Sequence, residues 1–366
     1  MKVMHIITGL SQGGAERTLV RLALSGNNNV EHVVISLTNK GVYANELQAA
    51  GVRVYCLNQK SGLFFLKALL ELGKLVARES PDVIQSWMYH SDAAAAVIAL
   101  CYKIPLIWNV RQTEISIRSS GISAWAAARL CAILSHHVPI AVVSCSNTAI
   151  LYHRRFGYAN KFIYIANGFE CKQNYFPAVT TTTPTHPVFG HVGRLHPVKN
   201  HSGFLEAASV LEKRGRKFRL LLAGSGVHPD NPAFKAIIPE NLINTVDAKG
   251  AHKNIDEIYA AMTCFVLSSH SEAFPNVVAE AMLNGIPCIV TDVGDAAEIV
   301  GDTGWIVPRR DATALMEAMN AALDEMKCPD MWSERKRRAQ IRIITRFSIR
   351  EMTSRYLDIW TSAKGE

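Results

Sequence analysis

Short apolar runs of about four to six residues recur along the chain, each followed by a longer stretch in which apolar residues return every third or fourth position. The first rhythm is that of a buried strand, the second that of a helix with one face covered. In the first half, strands are predicted at Lys2 to Ile7, His32 to Leu37, Arg53 to Leu57, Val83 to Ser86, Leu106 to Asn109, Ile140 to Ser144 and Phe162 to Ile165. Helices such as Ala15 to Ser25 and Leu63 to Arg78 lie between them. A second series follows: Val188 to Val192, Arg219 to Ala223, Leu242 to Val246, Cys264 to Leu267, Cys288 to Thr291 and Gly304 to Val307. Strands alternating with helices form parallel sheets covered by those helices. The expected fold class is α/β, with two Rossmann-like, doubly wound domains facing a central cleft and ligands at the carboxyl ends of both sets of strands.

The rhythm lapses between the two series, where TTTTPTHP replaces it. Residues 1–170 are therefore expected to form one domain, 171–187 a linker and 188–345 the second domain. The tail, 346–366, reads as a helix with Tyr356, Leu357 and Trp360 on one side, packing back on the first domain.

Composition narrows the function classes. A chain of 366 residues, 49% hydrophobic and 19% charged, is long enough for two folded domains. Its eight cysteines form no CxxC pair and no metal-ligand spacing, which suggests small core residues in a reducing, cytoplasmic compartment. No apolar run reaches membrane-spanning length, and the first residues lack the form of a signal peptide. The net charge of +8 asks for an anionic partner. Nucleic acid is disfavoured, because the basic clusters KRGRK and ERKRR are short and no nucleic-acid-binding signature accompanies them.

The most informative stretch is Leu267 to Asn284, LSSHSEAFPNVVAEAMLN. Pro275 marks a helix start, because a missing amide costs little in the first turn. The amides near Asn276 and Val277 would then have no carbonyl partners inside the helix and would suit a phosphate. Glu272 precedes this seat and Glu280 follows about a turn later. A sugar joined to a nucleotide through a diphosphate satisfies both: phosphates for the amides, sugar hydroxyls for Glu272 and ribose hydroxyls for Glu280.

Other strand-to-helix loops fit the same ligand. Gly13 and Gly14 lie in the first, outside the GxGxxG spacing, so a dinucleotide fingerprint is absent. Arg194 and Lys199 follow the strand ending at Val192 and are suited to neutralising a departing diphosphate. Gly224 lies in a further glycine loop, and His252 stands where a base might be recognised. In the first domain, Ser86 to Asp92 and Trp108 to Thr113 lie at strand ends and carry His90 and Arg111.

Together GGAER, GRLHPVKN, AGSG and EAFPNVVAE, with seven residues between Glu272 and Glu280, resemble the retaining glycosyltransferases of family 4, which have the GT-B fold. The resemblance spans both halves in order. It implies a nucleoside diphosphate sugar as donor, bound mainly by the second domain, with no metal or other cofactor, and an acceptor held mainly by the first. It places Arg194 and Lys199 on the diphosphate, Glu272 on the donor sugar and Glu280 on the ribose. Gly13 and Gly14 would close over the phosphates, while Gly224, His252, Phe274, Asn276 and Val277 complete the donor set. Many relatives carry a histidine where Arg111 stands. Arg111 keeps its proton and cannot act as a base, though it suits a phosphate or sugar oxygen, while His90 suits a base, a hydrogen bond to an acceptor hydroxyl, or packing beneath its loop.

In a retaining reaction of this family the departing phosphate oxygen takes the acceptor proton, and no protein nucleophile is required. Using Glu272 and Glu280 as acid and nucleophile, in the manner of a glycosidase, conflicts with the phosphate seat between them. The apolar stretches Leu63 to Leu75 and Ser123 to Leu134, near Arg111, Arg118, Arg129, Arg154 and Arg155, suit core packing or the inner leaflet of a membrane. A polyprenyl-linked saccharide acceptor in surface polysaccharide synthesis would account for basicity and apolar helices together. A nucleotide-sugar epimerase of the same architecture and a non-catalytic nucleotide-sugar binding protein are the competing readings.

Overall fold

The computed structural model of the chain describes residues 1–26, 29–59, 65–171, 186–252 and 254–365. The linker expected at 171–187 lies, apart from its ends, outside them, as does the start of the apolar stretch at Leu63. The chain divides into two compact units, Met1–Gly168 with Ile349–Glu366, and Phe169–Ser348.

In the first unit, strands and helices alternate as β1 (Lys2–Ile7), α1 (Gly14–Leu24), β2 (Glu31–Ser36), α2 (Tyr43–Ala49), β3 (Arg53–Cys56), α3 (Phe65–Glu79) and β4 (Val83–Trp87). They continue as α4 (Tyr89–Tyr102), β5 (Leu106–Val110), α5 (Ile117–Leu134), β6 (Ala141–Ser144), α6 (Asn147–Phe156) and β7 (Phe162–Tyr164). The second unit holds β8 (Val188–Val192), α7 (His201–Lys213), β9 (Arg219–Ala223), α8 (Pro232–Lys235), β10 (Val246–Ala248), α9 (Ile255–Ala260) and β11 (Cys264–Leu267). It is completed by α10 (Asn276–Leu283), β12 (Cys288–Thr291), α11 (Ala296–Val300), β13 (Trp305–Val307), α12 (Ala312–Glu325) and α13 (Pro329–Arg346), after which α14 (Ile349–Gly365) belongs to the first unit.

Both sheets are parallel, in the orders β3-β2-β1-β4-β5-β6-β7 and β10-β9-β8-β11-β12-β13. Each is buried on both faces, which explains the apolar strands. Along β1, Met4 and Ile6 enter one core with α3, α4 and α5, while Val3 and Ile7 enter another with α1, α2 and α14. Helix ends follow local chemistry: Ser146 caps α6 through the Ala149 amide at 3.2 Å, and Gly157 leaves it at a left-handed φ of 110°.

α14 is fastened to its unit by polar bonds as well as packing. Trp360 Nε1 donates to Gln85 Oε1 at 3.1 Å, and the buried Tyr356 hydroxyl accepts from Asn109 Nδ2 at 2.6 Å.

Three expectations change. The strand placed at Leu242 to Val246 forms only from Val246, because Pro239 starts a 3-10 turn over Glu240–Leu242 that carries Leu242 into the core. β4 and β5 each run one residue beyond the expected Val83 to Ser86 and Leu106 to Asn109, through Trp87 and Val110, so the loops begin at Met88 and Arg111. Four cysteines are buried, Cys131, Cys145, Cys264 and Cys288, whereas Cys101 and Cys328 are exposed.

Candidate active site

In a doubly wound sheet the strand order reverses at one point, and loops leaving the two strands there diverge to opposite faces, opening a crevice at the carboxyl ends. In the second unit that point lies between β8 and β11, the strands that feed the Lys199 and Glu272 loops.

The two loops are tied together. His270 N–H donates to Val198 O at 2.7 Å, Asn200 Nδ2 donates to Ser268 O at 3.1 Å, and Ser268 Oγ lies 3.0 Å from the carbonyl oxygens of both Lys199 and Asn200. Asn200 takes a left-handed φ of 51° and caps α7 through the Gly203 amide. Lys199 is thereby carried across the reversal point, where Nζ donates to Glu272 Oε1 at 2.5 Å. Ser269 Oγ donates to the same oxygen at 2.7 Å. The pair is largely withdrawn from water, with side chains 22% and 14% exposed.

Glu272 is also held from behind. Gly294, at φ 56°, approaches so closely that a Cβ there would lie 2.2 Å from Glu272 O and 2.4 Å from Ala273 O. Asp295 N–H bonds Ala273 O at 2.9 Å, and Thr291 Oγ1 bonds Ser269 O at 2.7 Å. Gly294, Ser269 and Thr291 thus position the carboxylate. They escaped the sequence reading because each is unremarkable until the loops after β11 and β12 meet.

α10 starts at Asn276, as the proline signal implied, with Pro275 at its cap and the Val278 amide bonded to Pro275 O at 3.0 Å. The amides of Asn276 and Val277 therefore precede the helical ladder. Glu280, half-buried in the next turn, accepts from the hydroxyl of buried Tyr259 on α9 at 3.1 Å. A carboxylate on an apolar helix needs such a partner. No local pattern names Tyr259, 21 residues away.

The remaining glycine loops meet backbone to backbone. Gly224 N–H donates to Gly250 O, and Leu195 N–H to Ser225 O, both at 2.7 Å. A Cβ on Gly224, at φ 146°, would lie 2.1 Å from Gly193 O. Arg194 projects from this junction and is exposed.

Two sequence-selected residues do not join the group. Phe274 is buried between Phe169 and Phe347, with ring centroids 6.3 and 5.7 Å away, so its side chain serves packing where the chain enters and leaves the unit. His252 bonds Asn254 O through Nδ1 at 2.9 Å and lines a groove with Val188, Arg219, Asp247, Lys249 and Glu257. Val188 and Arg219 are the first residues of β8 and β9, so this groove runs toward the sheet end opposite Glu272.

In the first unit the order reverses between β1 and β4, and Thr8 Oγ1 and Ser91 Oγ lie 3.0 Å apart across that point. Gly13 caps α1 and Gly14 begins it. The carboxyl of Glu16 folds back over Gly13, where a Cβ would lie 2.2 Å from Oε2, and burial raises its pKa. Met88 turns from β4 into α4 at a strained φ of 73°. His90, in the first turn of α4, is exposed, with Nε2 3.0 Å from Ser123 Oγ, and partial burial of its ring lowers its pKa. In the same turn Asp92 is fully buried and accepts from Ser86 Oγ at 2.6 Å, and burial pushes its pKa well up.

Arg111 is turned into the fold. Its Nε donates to Asn109 Oδ1 at 2.6 Å, one terminal nitrogen donates to Asn167 Oδ1 and the other to the Tyr356 hydroxyl at 2.5 Å. Its guanidinium also lies 5.0 Å above the Trp87 ring. These bonds clamp α14 to the sheet, a use that sequence spacing could not show.

Two family models match the chain in succession: Glycosyltransferase Family 4 over residues 12–173 and Glycosyl transferases group 1 over residues 186–325. The putative glycosyltransferase EpsF of Bacillus subtilis (strain 168) is 25% identical over 325 residues, covering 80% of this chain and 79% of EpsF. O-antigen chain mannosyltransferase B of Escherichia coli is 26% identical over 147 residues, covering 39% of this chain and 38% of that protein. Among solved structures, HepE of Anabaena in complex with UDP superposes with a TM-score of 0.81 at 19% identity, covering 99% of this chain and 100% of that one.

Proposed function

Since the chain belongs to glycosyltransferase family 4 and has the GT-B fold of its structural neighbours, we propose that it transfers a sugar from a nucleoside diphosphate sugar to an acceptor hydroxyl, with retention at the anomeric carbon and without a metal. The observation that carries this reading is the convergence of Lys199, Glu272 and the start of α10 at the point where the second sheet reverses.

A diphosphate placed there meets the ammonium of Lys199, the guanidinium of Arg194 and the first amides of α10. All three favour the negative charge that grows on the leaving group. Glu272 accepts hydrogen bonds from donor-sugar hydroxyls, and Glu280, held by Tyr259, accepts from the ribose. As the glycosidic bond to the phosphate breaks, the acceptor oxygen bonds to the anomeric carbon from the same face, and its proton passes to the departing phosphate oxygen. We assign His90 to bonding an acceptor hydroxyl.

The acceptor we propose is a lipid-linked saccharide of surface polysaccharide synthesis, reached at the inner face of the cytoplasmic membrane. Its support is the chain's net charge of +8 and the naming of relatives such as the O-antigen mannosyltransferase.

The test is a thermal-shift screen against UDP, GDP, ADP and their sugars in EDTA, followed by product analysis with lipid extracts. A rise in melting temperature with one nucleotide, and an α-linked product from an α-linked donor, supports the reading. An inverted product, or transfer abolished by EDTA and restored by a divalent cation, overturns it. Conversion of the donor to an epimer without acceptor would move the assignment to an isomerase.

A further inference from the structure

Charge is divided unequally between the two units. The second has 20 basic and 20 acidic residues, whereas the first has 19 basic against 11 acidic and so carries the whole net charge of +8. Between Ala93 and Ile165 the imbalance sharpens to seven Lys or Arg against Glu114 alone. The same stretch holds nine of the fifteen large apolar side chains that are exposed among the described residues.

These apolar side chains are ordered by helical spacing. On α5 the residues facing the sheet, Ala128, Cys131 and Ala132, are buried in the core, as expected of a covering helix. The opposite side is apolar too: Ile122, Ala126, Leu130 and Ile133 recur at i, i+4, i+8 and i+11, and the three large ones are 71%, 48% and 65% exposed. α4 packs along α5 and adds Leu100, 62% exposed. Exposed Arg129 lies in the same stripe and donates to Phe156 O, but a helix that is apolar on its outer as well as its buried side calls for a second apolar surround beyond its own domain. Lys103 is exposed at the end of α4, and Arg154 and Arg155 are exposed in the last turn of α6, which packs on α5.

We propose that the outer face of α4 and α5 is a docking surface for an anionic lipid bilayer. The apolar stripe enters the boundary between headgroups and acyl chains, and the basic residues lie at the level of the lipid phosphates, so that two weak attractions act together. No helix among the described residues is long and apolar enough to cross a membrane, so attachment is to one leaflet. Pairing with a second copy through this face would bring two strongly basic units together, which charge repulsion opposes. The inference deepens the reading of a lipid-linked acceptor and rests on it for its purpose, but membrane binding is measured without sugar transfer.

The experiment is flotation of the full-length protein with vesicles of phosphatidylglycerol and phosphatidylcholine in equal parts, or of phosphatidylcholine alone, at about 0.05 M and about 0.5 M salt. Binding is expected to the anionic vesicles at low salt and to weaken at high salt. The combined substitution Ile122→Glu, Leu130→Glu and Ile133→Glu should lower partitioning at least about tenfold, with melting temperature and nucleotide binding unchanged. Arg154→Gln with Arg155→Gln should lower it about fivefold per residue at low salt and flatten the salt dependence. Equal binding to both vesicle types, or anionic binding that both sets of substitutions leave intact, would overturn the proposal. A dimer in solution that the apolar substitutions dissolve would assign the face to a second copy instead. Loss of vesicle binding with nucleotide binding retained separates this surface from the active-site reading.

Discussion

Replacing Lys199 with methionine removes the ammonium from Glu272 while keeping most of the side-chain volume. The pair is direct, at 2.5 Å, and its side chains are 22% and 14% exposed, so it lies between a surface ion pair and a buried one. A hydrogen bond to a charged group contributes about 1.5–3 kcal/mol, and Ser269 Oγ remains on Glu272 Oε1, so a cost near the middle, about 2 kcal/mol, is expected in the second unit. Glu272→Gln should cost less, about 1 kcal/mol, since the amide oxygen still accepts from Ser269. The double variant should be less destabilised than the sum of the two by about 1–2 kcal/mol. Equilibrium urea unfolding fitted with separate transitions for the two units measures this coupling.

The same variants separate the two proposed roles. If Lys199 serves the diphosphate, Lys199→Met weakens nucleoside diphosphate binding about thirtyfold, the equivalent of about 2 kcal/mol. Glu272→Gln leaves that affinity unchanged or improves it, because a competitor for the ammonium is gone, yet abolishes transfer. Coupling below about 0.5 kcal/mol, or equal loss of diphosphate binding in both variants, would refute this account of the pair.

Gly294→Ala should push the Glu272 loop from its place, lowering transfer at least about tenfold and stability by about 1–3 kcal/mol, read by kinetics and melting; wild-type turnover would show that the close approach does not matter. Tyr356→Phe strips a buried acceptor from Asn109 and Arg111 and should destabilise the first unit by about 3 kcal/mol in urea, with nucleotide binding unchanged. Burial lowers the pKa of His32 to about 4, and His5, 2.9 Å away, is held well below the ordinary histidine value by burial and by His32. Below about pH 6.5 the unfolded chain takes up protons that these rings refuse when folded, so stability is full above that pH and lost as pH falls toward about 4. His32 alone should account for about 3 kcal/mol across that window, and His32→Gln should flatten the pH dependence of unfolding there.

Much of the candidate site was written locally. Pro275 placed the start of α10, and the glycines at 193 and 224 marked loops where backbones approach. Glu280 on an apolar helix implied a polar partner, but not that the partner is Tyr259. Phe274 and His252 show where local reading stops: a loop's position follows from its strand, whereas the direction of each side chain depends on neighbours distant in sequence. Phe274 turns into a stack with Phe169 and Phe347, and His252 lies over the edge of β10.

The sequence by itself determined the alternation of strands and helices, because the periods of two and of about three and a half are properties of one segment and its covered face. Through its motifs it also determined the family and the chain positions of Lys199, Glu272 and Glu280. Only the tertiary structure decided that Lys199 pairs with Glu272, that Gly294 and Tyr259 support the two carboxylates, and that Arg111 clamps α14 instead of facing outward. Each of these is a contact between segments brought together by strand order, and strand order is set by how whole faces bury one another rather than by any local pattern.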